Sequence, residues 1–247
     1  LTPPGLEKHN LIRIQRLIEK RALDTIKPAN LDPEHFTALG LDAAYSRRYG
    51  GVAAAVLTDS GGALLEQAVA LGEPPIPYIP GLLAFREAPL LYTALQQIQK
   101  HYDVVFVDGH GISHPRHTGI ATHIGLALAK PSIGVAKKRL YGVEKPLGAA
   151  CDEKPCIEAV LLDPNTGDQL AAVIRVPTGS KIYVSPGAYI TLHQAVETTL
   201  RLLQRRHPLP APTYHADKLS KKIARALDRG TLTPQMLRGR GLEAFTQ

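Results

Sequence analysis

Asp42, Glu87, Asp108 and Lys137 lie in or at the ends of predicted strands or near a predicted helix break, and their types could hold a divalent cation and a phosphate. Asp42 interrupts the apolar run Leu39-Gly40-Leu41-Asp42-Ala43-Ala44. An unpaired ionised carboxylate inside a strand is costly, so it requires a cation, backbone donors or a solvated face. Asp108 ends Asp103-Val104-Val105-Phe106-Val107-Asp108, a β-branched run that reads as a buried strand. The chain then enters Gly109-His110-Gly111-Ile112-Ser113-His114-Pro115. Ligands bind at the carboxyl ends of such strands, although a carboxylate there can also cap the turn. Two close carboxylates repel unless they share a proton or a cation, and a few hard oxygen donors suit Mg²⁺ or Mn²⁺. A divalent ion so held can activate water and offset charge on a leaving oxygen.

Other candidates are weaker alone. Glu87, in Phe85-Arg86-Glu87 near Pro89, reads by itself as a surface helix residue. Lys137 follows the apolar Ile133-Gly134-Val135-Ala136 and can neutralise a phosphate; with Lys138 and Arg139 it can also form a solvated turn. Asp217 reads as a surface residue of the last helix. His110, His114, His117 and His123 suggest zinc, but Gly111 and Pro115 prevent a helix that would align them and no cysteine is near. Hydrogen bonding in the glycine-rich loop is their expected use.

Positioning these residues requires a sheet. Residues 5–26 carry Leu6, Leu11, Ile14, Leu17, Ile18 and Ile26 at roughly helical spacing and predict an amphipathic helix. Residues 38–45, 51–58 and 63–70, separated by turn sequences, predict a three-strand antiparallel meander. Pro74, Pro75, Pro77 and Pro80 exclude regular structure from the next stretch. A helix over 82–100 with a break near Pro89, a strand over 103–108, a helix over 118–129 and a strand over 132–136 follow. Strands over 157–162 and 169–176, helices over 191–205 and 213–229, and a loosely ordered tail after Gly230 complete the chain. The expectation is an α/β fold in one domain over 1–247, a mixed sheet with helices on both faces. If the first strand lies beside 103–108, Asp42 and Asp108 converge.

With 44% hydrophobic residues, the chain can build a large core. Its +7 net charge, from 29 Lys+Arg against 22 Asp+Glu, suits a polyanionic partner, nucleic acid first. Cys151 and Cys156 are too few for a disulfide framework or a structural zinc site. No apolar run approaches the roughly 18 residues of a membrane span, so a cytoplasmic protein without membrane contact is expected. A monomer is expected.

Four segments together resemble one family, endonuclease V. They are Pro77-Tyr78-Ile79-Pro80-Gly81-Leu82-Leu83-Ala84-Phe85-Arg86-Glu87, the 105–116 segment around Asp108, Ile133-Gly134-Val135-Ala136-Lys137-Lys138-Arg139-Leu140, and Tyr183-Val184-Ser185-Pro186-Gly187. The likeness runs from about residue 39 to 218. It implies a ribonuclease H-like fold and a Mg²⁺-dependent DNA repair endonuclease, with Mn²⁺ able to substitute. Its substrate would be deoxyinosine DNA, with inosine RNA also open. Cleavage would fall at the second phosphodiester bond 3′ to the lesion, leaving 3′-hydroxyl and 5′-phosphate ends. On this resemblance Asp42, Glu87 and Asp108 hold metal, Asp217 (with His215 as the alternative) supports them, and Lys137 positions water or phosphate. Pro77, Tyr78, Ile79 and Pro80 form a wedge with Tyr78 at its tip. Gly81, Leu83, Gly109, Gly111, His114, Gly119 and Leu140 line a pocket for the displaced base, glycine N–H groups reaching its edge. The rival expectations are a lesion-independent ribonuclease H-like nuclease for branched DNA or RNA, and an inactive nucleic-acid binder.

Overall fold

The strand that carries Asp42 lies third from one edge of a large sheet. β1 (Thr37–Ser46) and β2 (Gly50–Asp59) pair antiparallel, and β3 (Leu64–Gly72) extends the meander on the far side of β2. The computed structural model describes residues 6–148, 151 and 155–239. On its other side β1 runs parallel to β4 (Val104–Asp108), with Leu41 opposite Val107, so that Asp42 and Asp108 follow side by side. β5 (Ser132–Ala136) is parallel to β4 in turn. β6 (Val143–Pro146), β7 (Cys156–Leu162), β8 (Gln169–Arg175) and β9 (Lys181–Ala188) form an antiparallel half. Among the described residues the sheet has nine strands in the order β3-β2-β1-β4-β5-β9-β8-β7-β6. This is the ribonuclease H-like mixed sheet expected from the sequence.

Alternation along the strands divides the core. Leu39, Leu41, Val105 and Val107 face α2 (Leu83–Leu95) and α3 (Ile120–Leu128). Ala38, Val104 and Phe106 face the other way, in the cluster that includes α4 (Leu192–Leu202). On that same face α5 (Ala211–Arg229) packs on Val52, Ala54 and Val56. Asp42 and Asp108 keep the parity of this second face. Gly40 makes the approach of α5 possible: a Cβ there would overlap the Pro212 carbonyl. Without a glycine, α5 would stand too far from β1 for its side chains to reach Asp42.

Several expectations change. Pro89 does not break α2, which is continuous through it. Pro89 is solvent-exposed, while Ala84, Ala88, Leu91 and Leu95 anchor the opposite face. Packing thus outweighs the lost hydrogen bond. β6 and β9 were not legible as strands; β9 contains Pro186 and Gly187, which strand propensity disfavours. A short helix, α6 (Pro234–Gly239), occupies part of the expected loose tail, and residues 240–247 lie outside the described residues. α1 (Lys8–Asp24) is helical as expected, but it buries Leu11, Gln15 and Ala22 and leaves Leu17 71% exposed. A disulfide joins Cys151 to Cys156.

Candidate active site

Asp42, Asp108 and Asp217 each offer a carboxylate oxygen within 4.8 Å of the others. β1 supplies the first, the end of β4 the second and α5 the third. Asp42 is 8% exposed and accepts a 2.6 Å hydrogen bond from Ser220 Oγ, one turn along α5 from Asp217. Burial, followed by repulsion from Asp108, pushes its pKa up to about 7, despite the Ser220 bond. Lys137, just past β5, places Nζ 2.6 Å from Asp108 Oδ2 and 2.6 Å from Asp217 Oδ1. Burial opposes its charge, but attraction and hydrogen bonds from these two carboxylates outweigh that and raise its pKa. Burial likewise opposes ionisation of Asp217, yet hydrogen bonds from Lys137 and Lys221 hold its pKa below the usual range.

Glu87 lies on the wall of the same cleft, a cavity of about 480 Å³, but outside the three-carboxylate cluster. The Tyr45 hydroxyl donates to its Oε1 at 3.0 Å. Burial raises the Glu87 pKa to about 7, with the Tyr45 bond and Arg86 acting against the rise. The three clustered carboxylates are hard oxygen donors, and Asp42 is buried beside a like charge. That donor set fits a divalent cation of the Mg²⁺ type better than any softer metal.

A second cavity of about 290 Å³ adjoins the first, and Leu83 lines both. Tyr78, 65% exposed, stands at its rim with Leu140, and Gly81, His114 and Gly119 line it. Pro77, Ile79 and Pro80 bracket Tyr78 without lining the cavity. Burial drives the pKa of His114 down to about 3 and that of His110 to about 4, so both are neutral near pH 7. The Arg116 N–H donates to His114 Nδ1 at 3.2 Å, which leaves Nε2–H to donate to the Gly81 carbonyl at 2.9 Å.

The glycines act otherwise than expected. The N–H groups of Gly109, Gly111 and Gly119 donate to the Val135 carbonyl, Ser185 Oγ and the Gly111 carbonyl. They are therefore not available to a base edge, and Gly109 and Gly111 do not line the cavity. A Cβ at Gly111 would overlap the Pro186 carbonyl, so this glycine lets the loop pack on β9. Sequence reasoning missed Ser220, Lys221 and Tyr45 in the cleft and Gln15, His110 and Thr118 in the pocket. The i, i+3 and i+4 spacing of Asp217, Ser220 and Lys221 was the available signal. His215 is not among the clustered residues; Asp217 is. The histidines form no metal-binding group among the described residues.

The endonuclease V family model matches residues 21–218 of this chain. Endonuclease V of Desulfurococcus amylolyticus is 41% identical over 223 residues, which cover 88% of this chain and 95% of the relative. The chain belongs to the endonuclease V family. The crystal structure of Streptomyces avermitilis endonuclease V superposes with a TM-score of 0.76 at 30% identity, covering 92% of this chain and 95% of that one. Ciona intestinalis endonuclease V, solved with a 24mer DNA containing an inosine followed by a ribo-adenosine, shares the fold at 22% identity, with a TM-score of 0.76 over 89% of this chain and 98% of that one. Like other endonuclease V proteins, this chain is a metal-dependent DNA repair nuclease, a hydrolase. Among the described residues no helix is long and apolar enough to cross a membrane.

Proposed function

We propose that this endonuclease V takes hypoxanthine from inosine-containing nucleic acid into the 290 Å³ pocket and cuts the strand in the adjoining carboxylate cleft. The observation that carries this reading is the shared wall: Leu83 lines both a pocket of neutral histidines and a cleft of carboxylates. A base displaced into one leaves its own strand running past the other. The cut falls at the second phosphodiester bond 3′ to the lesion and leaves 3′-hydroxyl and 5′-phosphate ends. Deoxyinosine DNA is the proposed substrate, with inosine RNA as a second.

Asp42, Asp108 and Asp217 would hold Mg²⁺, or Mn²⁺ in its place, with Glu87 at the edge of the set. When bound, the cation activates water and stabilises charge on the leaving oxygen. The protein's own groups do the rest. Ser220 fixes the rotamer of Asp42. Lys137, held by two carboxylates, presents a positive charge that orients a phosphate or the attacking water. Glu87, held by the Tyr45 hydroxyl, faces the cleft where the attacking water or the phosphate would lie. Tyr78 fills the gap left by the extruded base, and the prolines around it limit the ordering entropy lost on binding. The first N–H groups of α2 and α3, at Leu83, Ala84 and Ile120, have no carbonyl within their helices. They supply donors for the 6-oxo group that separates hypoxanthine from adenine. The buried Thr118 Oγ1, with no partner among the described residues, is a further polar group beside the pocket. The enzyme acts as a cytoplasmic monomer.

Cleavage of matched oligonucleotides tests the reading: deoxyinosine DNA, undamaged DNA and single-stranded RNA with one inosine, each with Mg²⁺ and with EDTA. Mg²⁺-dependent nicking one nucleotide beyond the inosine is expected. Cutting that ignores inosine would identify a lesion-independent nuclease, and binding without cutting an inactive binder.

A further inference from the structure

We infer that α1 belongs to the recognition apparatus and that Gln15 is a positioning residue for the base pocket. The inference rests on the reading of that pocket as the base site. Residue 15 precedes the segment 21–218 matched by the family model. A buried glutamine on a helix with exposed Ile14 and Leu17 is not explained by core packing.

Its amide joins the two walls of the pocket. Gln15 is fully buried and donates from Nε2 to the Gly81 carbonyl at 3.1 Å and to the Thr118 carbonyl at 3.3 Å. Its Oε1 accepts from Arg116 Nε at 2.6 Å. Gly81 opens the segment that leads into α2, and Thr118 closes the loop that leads into α3. The same Gly81 carbonyl also accepts from Arg116 Nη2 at 3.0 Å and from His114 Nε2 at 2.9 Å. One residue on α1 thus fixes the separation of the two helix N-termini that face the pocket. One turn further on, Glu19 Oε1 lies 2.8 Å from His117 Nδ1, so the same helix face grips the loop a second time.

Both amide hydrogens and the oxygen are engaged within the protein, so Gln15 acts through Gly81, Thr118 and Arg116 rather than by touching the base. A shift of the walls by a fraction of an ångström would leave the cleft intact and misplace the donors that read the base. Selectivity, rather than turnover, is therefore the property that Gln15 controls. An amide suits this place because it supplies donor and acceptor without placing a charge beside neutral histidines. Its loss would leave the Thr118 carbonyl and Arg116 Nε short of a buried partner.

The test compares wild type, Gln15→Leu and Gln15→Glu. Gln15→Glu keeps the acceptor for Arg116 and removes both donors. Affinity for inosine and undamaged oligonucleotides is measured in EDTA, and single-turnover cleavage at saturating inosine DNA with Mg²⁺. In Gln15→Leu the inosine Kd is expected to rise about tenfold, equivalent to about 1.4 kcal/mol, and in Gln15→Glu at least as much, because a carboxylate oxygen would then face the Gly81 and Thr118 carbonyls. The undamaged Kd and the saturating cleavage rate should stay within about threefold, because the cleft is untouched. Unchanged inosine preference in Gln15→Leu overturns the inference. So does an equal loss of both affinities and of rate in step with a lower folded fraction, since that is a merely structural role. A wild type with no inosine preference would instead overturn the base-site reading itself, together with this inference.

Discussion

The two cavities that meet at Leu83 handle charge in opposite ways. The cleft concentrates it: three carboxylates within 4.8 Å, with Lys137 bonded to two of them. The pocket removes it: His114 is buried, His110 and His123 are partly buried, desolvation holds all three neutral, and Gln15 contributes an amide instead of an ion. A phosphate and its counter-ion need the first environment. An uncharged base read by shape and hydrogen bonds needs the second. On the proposed reading, recognition and hydrolysis should therefore be separable by mutation although the two cavities lie side by side.

The largest effect should come from the cleft. Asp42→Ala removes one of the three clustered carboxylates and should lower cleavage by about 10³-fold or more. Affinity for inosine DNA in EDTA should change little. A variant that loses both together would show that the cavities do not act separately. At the rim of the pocket, Tyr78→Ala should raise the inosine Kd by about ten- to a hundredfold, from the usual worth of one base–aromatic contact. Metal affinity, measured by Mn²⁺ titration, should be unaffected; an equal loss there would remove Tyr78 from the wedge role.

The smallest effect is on stability, and its sign differs between the cavities. Asp42 and Glu87 titrate near pH 7 when folded and near 4 when unfolded, so their burial destabilises the metal-free protein as pH rises from 4 to 7. The buried histidines do the reverse. Their folded pKa values of about 3 to 4 lie below the ordinary 6.5, so the stability they confer is complete above 6.5 and lost as pH falls towards 4. In EDTA at pH 8, Asp42→Asn should therefore raise Tm by about 2–4 °C, equivalent to about 1 kcal/mol. The gain should shrink towards zero by pH 4, and the variant should lose stability more steeply than wild type between pH 6.5 and 4. Calorimetry at three pH values checks this. An equal gain at every pH would show that Asp42 carries no ionisation cost.

What could be read from the sequence differed between the two cavities. Asp42 and Asp108 were legible because a carboxylate inside or at the end of an apolar strand has few explanations. Asp217 came only from the family resemblance, because by itself a carboxylate among Lys218, Lys221 and Lys222 looks like any solvated helix residue. Leu83, Gly81 and Tyr78 came from family resemblance, whereas local chemistry alone would have left Tyr78 in a proline-rich connector and Leu83 as an ordinary residue of the helix that follows. On α1 the apolar spacing pointed to Leu17, which is exposed, and concealed Gln15, which is buried.

The sequence by itself determined the meander, the central strand, the helices that follow, and the strand positions of two site carboxylates. These depend on local alternation, turn residues and burial preference, all of which act within a few residues. Only the tertiary structure decided that α5 lies close enough on Gly40 to bring Asp217 and Ser220 to Asp42. It likewise decided that Pro186 and Gly187 sit in a strand, and that an amide 66 residues before Gly81 holds that carbonyl in place. Each of these is a contact between segments far apart in the chain. Such contacts are fixed by the packing of whole elements, and no single segment carries that information.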